Sequence, residues 1–131
     1  MKHFKEFSDW LDGHLADISL DHIEAFCFNC YEGGNTPTWN MELVGSKVFD
    51  ENDPDWACPH NEVFNARGRD DDFLFFIHRT EDIFEWEKGL EFMTSLVTEY
   101  LRCGTFAEKL KSVQAVAIGF VSGDLEIVYQ C

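Results

Sequence analysis

Basic residues are scarce in this sequence: 131 residues carry 10 Lys and Arg against 25 Asp and Glu, a formal net charge of −15. That imbalance takes nucleic-acid binding by phosphate neutralisation, and attachment to anionic membranes, out of the leading readings. Long hydrophobic runs are missing as well. The longest, Phe73 to Ile77 and Ala115 to Val121, fall far short of the ~20 apolar residues of a membrane span. Met1 to Phe7 sets polar residues between its aromatics and lacks the continuous apolar stretch of a signal peptide. The five cysteines (27, 30, 58, 103 and 131) are odd in number and scattered. The expectation is a soluble, cytoplasmic chain with reduced thiols.

Local catalytic and cofactor motifs are also wanting. Neither Gly33-Gly34 nor Gly119 opens a phosphate-cradling loop with a Lys-Ser/Thr ending. Cys58 and the five histidines show no nucleophile elbow and no Gly-rich oxyanion loop. Asp50 to Asp55 resembles a calcium loop in composition, but the central Gly and closing Glu are absent and Pro54 takes a ligand slot. Cys27-Phe28-Asn29-Cys30 is a CxxC motif inside an apolar segment that reads as a strand, where residues three apart point to opposite faces. A zinc site needs about four ligands, usually from two such pairs. No cofactor and no metal are expected, and the cysteines read as small core residues.

What is present builds a core: 45% of residues are hydrophobic and 13 are Phe. The length suits one domain over 1–131. Phe4, Phe7, Leu11 and Leu15 recur at helical spacing over residues 3–16. Residues 21–31 read as a strand buried on both faces. The turn chemistry of Glu32 to Pro37 joins it to a half-buried strand in which Trp39, Met41 and Leu43 alternate with Asn40 and Glu42. Residues 48–72 are irregular, with Val63-Phe64 as a short strand. Phe73 to His78 resumes extended structure, in the middle of the sheet.

A long amphipathic helix over 81–103 follows, with Trp86, Leu90, Met93, Val97 and Tyr100 on its buried stripe. Thr80 is its N-cap and Gly104 the C′ residue. Thr105 and Glu108 form a capping box for a short helix. Val113 to Val121 and Leu125 to Gln130 make a closing hairpin. The fold class is α+β: a mainly antiparallel sheet of about five strands, an N-terminal helix, and the long helix packed on one face.

The acids are unevenly spread. Residues 48–72 hold eight (Asp50, Glu51, Asp53, Asp55, Glu62, Asp70, Asp71 and Asp72) against Arg67 and Arg69, a net of −6. Loops longer than ~12–15 residues in compact domains tend to be functional or disordered. An aromatic rimmed by carboxylates is also the pattern of an interface anchor. Asp50, Glu51, Asp53, Asp55, Trp56, Asp70, Asp71 and Asp72 are therefore the candidate partner-binding residues. The plainer alternative is a solvated acidic face in which Trp56 plugs the core edge.

Taken with its size and charge, the stretch Phe49-Asp50-Glu51 to Asp55-Trp56-Ala57-Cys58 and the closing Ala117 to Leu125 hairpin resemble small acidic bacterial immunity proteins. These are the partners of polymorphic or contact-dependent toxins. The resemblance implies an inhibitor that covers the active site of a toxic, often basic, enzyme; it assigns no binding residue by position. Two readings compete: a non-catalytic binding protein with a basic partner, and a small enzyme or ligand-binding domain with an aromatic-lined pocket. Oligomeric state is not legible.

Overall fold

Alternation sorts the apolar residues of the central strands between two faces of one sheet. The computed structural model describes residues 1–67, 73–121 and 123–131. Its elements are α1 (Phe4–Leu15), β1 (Ala25–Glu32), β2 (Thr38–Ser46), β3 (Glu62–Phe64), β4 (Phe75–His78), α2 (Trp86–Cys103), α3 (Ala107–Leu110), β5 (Ala115–Phe120) and β6 (Glu126–Gln130). Short 3₁₀ turns, Pro59–Asn61 and Glu81–Ile83, precede β3 and α2. The fold is α+β, with a six-stranded sheet ordered β3-β2-β1-β5-β6 and β4 also paired to β2.

The two expected hairpins are present, β1–β2 and β5–β6, both antiparallel. The sheet is nonetheless mixed, because β1 and β5 run parallel. That pairing needs a long crossover, and the segment carrying α2 and α3 lies within it. Phe73 to His78 does not lie in the middle of the sheet. Its ordered part, β4, pairs with Thr38 to Met41 of β2 and has no other strand partner among the described residues.

One face of the sheet carries the main core. Phe26, Phe28 and Cys30 of β1, Trp39, Met41 and Leu43 of β2, and Val116 and Ile118 of β5 are buried there. They pack with Phe7, Leu11 and Leu15 of α1 and Met93, Leu96, Val97 and Tyr100 of α2. Gly89 permits the close approach of α2, since a Cβ there would sit 2.4 Å from the Trp39 indole. Tyr100 ties the helices together by donating to Asp12 Oδ1 at 2.5 Å and accepting from the Phe106 amide at 3.1 Å.

The second face of the sheet is apolar at one end. Ala25, Cys27, Val44, Ala115 and Ala117 form a smaller cluster with Trp56 and Ala57. Ala25 sits opposite Ala115, and Cys27 opposite Ala117. Side chains this small leave room over the sheet for one indole, which Trp56 fills. Trp56 covers this end of β2, which is buried on both faces rather than half-buried. Cys27 and Cys30 belong to different clusters, as strand alternation requires.

The helix boundaries differ from the expectation. The long helix begins at Trp86, not 81, because residues 81–83 close as a 3₁₀ turn; Glu85 is the N-cap residue and no side chain caps it. Trp86, the first residue of the helix, is exposed, not buried. Gly104 has φ −68°, outside the left-handed region. Its need for glycine is steric, a Cβ there falling 2.6 Å from the Tyr100 ring. Phe106, not Thr105, occupies the N-cap of α3, and no side-chain hydrogen bond closes a capping box there.

Candidate functional site

The acidic segment after β2 is an ordered loop tied down from within. The Asp50 carboxylate accepts from the Asn52 amide and that of Asp53 from the Asp55 amide, each at 2.9 Å. Such turns are the local chemistry that aspartate favours. The buried hydroxyl of Ser46 lies 3.0 Å from the Trp56 carbonyl, which also accepts from Asn61 Nδ2 at 3.0 Å. Phe49 meets the Trp56 ring edge-on at 5.1 Å.

The loop therefore sorts the candidate residues. Asp50, Glu51, Asp53 and Asp55 are exposed. Trp56 is only 2% exposed and is a core residue of the second face, not a surface anchor. Asp70, Asp71 and Asp72 lie outside the described residues.

Beside Trp56 the same face of the sheet turns polar. Asn29 and Glu42 stand opposite each other on β1 and β2, and Asn29 Nδ2 donates to Glu42 Oε1 at 3.3 Å. Arg67 reaches over them. Its Nε donates to Glu42 Oε2 at 2.8 Å and Nη2 to Glu42 Oε1 at 2.6 Å. Nη1 and Nη2 donate to the two oxygens of Glu62 at 2.9 and 3.0 Å. The carboxylate side chains are 7% and 4% exposed and the guanidinium side chain 39%. Charge-assisted, bidentate pairs of this kind are the stronger hydrogen bonds of proteins. The two carboxylates hold the Arg67 guanidinium above its already high ordinary range. Burial, aided by Glu42, pushes the neighbouring Tyr31 phenol up to about 12.

This clamp floors a cleft of about 400 Å³ between residues 54–59 and the β5–β6 turn. Asp55 and Cys58 stand on one wall, Phe120, Val121 and Gly123 on the other. Both floor carboxylates are engaged with Arg67, so a ligand meets a residual negative charge rather than a free base. Burial pushes the Cys27 thiol up to about 12 and that of Cys30 higher still, the opposite of an activated thiolate. Among the described residues no group of three or more His, Cys, Asp or Glu side chains is placed to hold a metal. Nor, among the described residues, is any helix long and apolar enough to cross a membrane.

The sequence reading missed the clamp because its members are distant along the chain. A signal existed: Asn29 and Glu42 are polar residues inside strands that are otherwise buried, and a buried carboxylate requires a cation. Comparison of the chain with protein-family models, with curated proteins and with solved structures found no match.

Proposed function

We propose that this protein is a non-catalytic, acidic binding protein that neutralises an enzyme by covering it, as a bacterial immunity protein does its cognate toxin. The observation that carries the reading is the fixed display of Asp50, Glu51, Asp53 and Asp55 on a loop anchored from beneath by Trp56. A surface already ordered loses little entropy on binding. Negative charge at that density steers a basic partner and occupies a groove built for anions.

The test asks whether a reading frame beside this chain's gene encodes a large secreted protein with a toxic C-terminal domain, and then uses that domain. Inhibition of that domain, with an association rate that falls steeply as salt rises, supports the reading. Failure to inhibit it, or association indifferent to salt, removes the basis for it. The cleft over Arg67 favours one alternative, a ligand-binding domain, since its volume lies in the range of small-molecule sites. A saturable thermal shift with a polar metabolite, alongside no inhibition of the toxin domain, would select that alternative.

A further inference from the structure

A second exposed surface, this one aromatic, lies at the start of α2. Trp86 is 53% exposed although its ring meets Phe120 edge-on at 6.2 Å. Val121 beside it is 62% exposed. Trp86 stands between two hollows. One, of about 360 Å³, is lined by Tyr31, Glu32, Phe120 and Val121; the other, of about 320 Å³, by Glu87, Leu90, Glu91, Thr94 and Glu126.

Four carboxylates line these hollows, and no lysine or arginine among the described residues does. Two of the four form long ion pairs, Glu32 with Arg79 at 3.9 Å and Glu91 with Lys88 at 3.8 Å, whereas Glu87 and Glu126 form none among the described residues. Thr94 adds a buried hydroxyl with no hydrogen-bond partner among the described residues. An indole face flanked by four carboxylates, two of them without a cationic partner among the described residues, is complementary to a guanidinium, which stacks on aromatic planes and pairs with carboxylates together. The chain already uses this chemistry internally: the Arg79 guanidinium lies 4.2 Å from the Trp39 ring centroid and 4.4 Å from that of Phe84.

We infer that Trp86 and its flanking hollows are the anchor site for an extended, arginine-bearing segment of a protein partner. This rests on the reading that the partner is basic, and it moves the aromatic anchor from Trp56 to Trp86. The partner's arginine stacks on the Trp86 indole, neighbouring cationic residues face Glu32, Glu87 and Glu126, and intervening apolar residues lie on Phe120 and Val121.

The test is an NMR titration of the isotopically labelled full chain with a blocked peptide of about eight residues alternating arginine and valine. A matched peptide carrying citrulline in place of arginine is the control. The Trp86 indole N–H and the Val121 and Gly123 amides should shift saturably, and the citrulline peptide should bind at least ~10-fold more weakly. Trp86→Ala and Val121→Arg should each weaken binding ~5-fold or more, whereas Asp53→Asn with Asp55→Asn should change it less than ~2-fold. Val121→Arg alters an exposed turn residue and guards against misfolding of the tryptophan variant. Shifts confined to the Asp50 to Asp55 turns, with Trp86 unmoved, would overturn the anchor but leave the acidic-surface reading standing. No saturable shift anywhere, or equal binding of the citrulline peptide, would overturn both.

Discussion

Arg67→Met isolates the clamp on the second face of the sheet. The substitution keeps much of the aliphatic stem but removes four N–H···O contacts and leaves the Glu42 and Glu62 carboxylates without their cation. Breaking a buried ion pair by deleting one partner costs ~3–5 kcal/mol. Here the carboxylates are buried, but the guanidinium side chain is 39% exposed, so water reaches the cluster. We therefore expect ~2–3 kcal/mol, the low end after screening. Urea unfolding followed by tryptophan fluorescence gives the free energy, provided the slope with denaturant is unchanged. Glu62→Gln supplies the internal control. In the parent protein it should cost up to ~1 kcal/mol by weakening charge-assisted hydrogen bonds. In the Arg67→Met background it should stabilise by ~1 kcal/mol, because it removes one of two unpaired charges. The reasoning is refuted if Arg67→Met lies within ~0.5 kcal/mol of the parent, or if Glu62→Gln has the same sign in both backgrounds.

The main core and the exposed end of α2 should respond oppositely: Leu96→Ala, fully buried under the sheet, should cost ~2–5 kcal/mol and Trp86→Ala less than ~1 kcal/mol in the same unfolding assay. In native protein a thiol reagent should modify Cys103, Cys131 and the half-buried Cys58 first, with Cys27 and Cys30 protected until unfolding; immediate reaction of all five would contradict the burial assignment. Stability should fall at alkaline pH. Cys27, ordinarily at 9.0, and Tyr31, ordinarily at 10.0, are both pushed up to about 12 in the folded state, which then holds protons that the unfolded chain releases. Their contribution is complete below the unfolded values and is lost as pH climbs from them toward the folded ones. A urea midpoint that does not decline over this window would count against it.

Much of the fold was legible because its signals are local. Phe4, Phe7, Leu11 and Leu15 give α1 its stripe, and turn chemistry at Gly33-Gly34 and near Gly123 marks both hairpins. The placement of the cysteines on opposite faces follows from strand alternation alone. Three features were not legible, each for a non-local reason. The parallel β1–β5 pair depends on where the crossover returns, which no window of sequence encodes. The edge position of β4 depends on β2 offering only Thr38 to Met41 to it. Glu42 alternates with apolar residues as a water-facing residue would, yet it is buried because Arg67, 25 residues away, comes back over it.

The two tryptophans show the same limit at the candidate site. Trp56 sits among acids in an irregular segment, where pattern alone offers either an interface anchor or a plug at the core edge, and Trp86 falls on the helical stripe of Leu90, Met93 and Val97, which makes it a core residue. In the fold Trp56 is the plug and Trp86 is exposed. Trp56 is covered because Ala25, Ala115 and Ala117 leave a pit in the sheet, a property of two strands in register. Trp86 opens α2 after the 3₁₀ turn at 81–83, and its ring meets the sheet only edge-on at Phe120, the last residue of β5, which leaves it half-exposed. The exchange does not divorce the acidic loop from the aromatic surface. The cleft beside Asp55 and the hollow beside Trp86 share Phe120, Val121 and Gly123 as a common wall. A segment seated against Trp86 and running over that turn would face Asp55 next. Charge on the loop and the indole on the helix would then act on one partner in sequence, the first setting how fast it arrives and the second how long it stays.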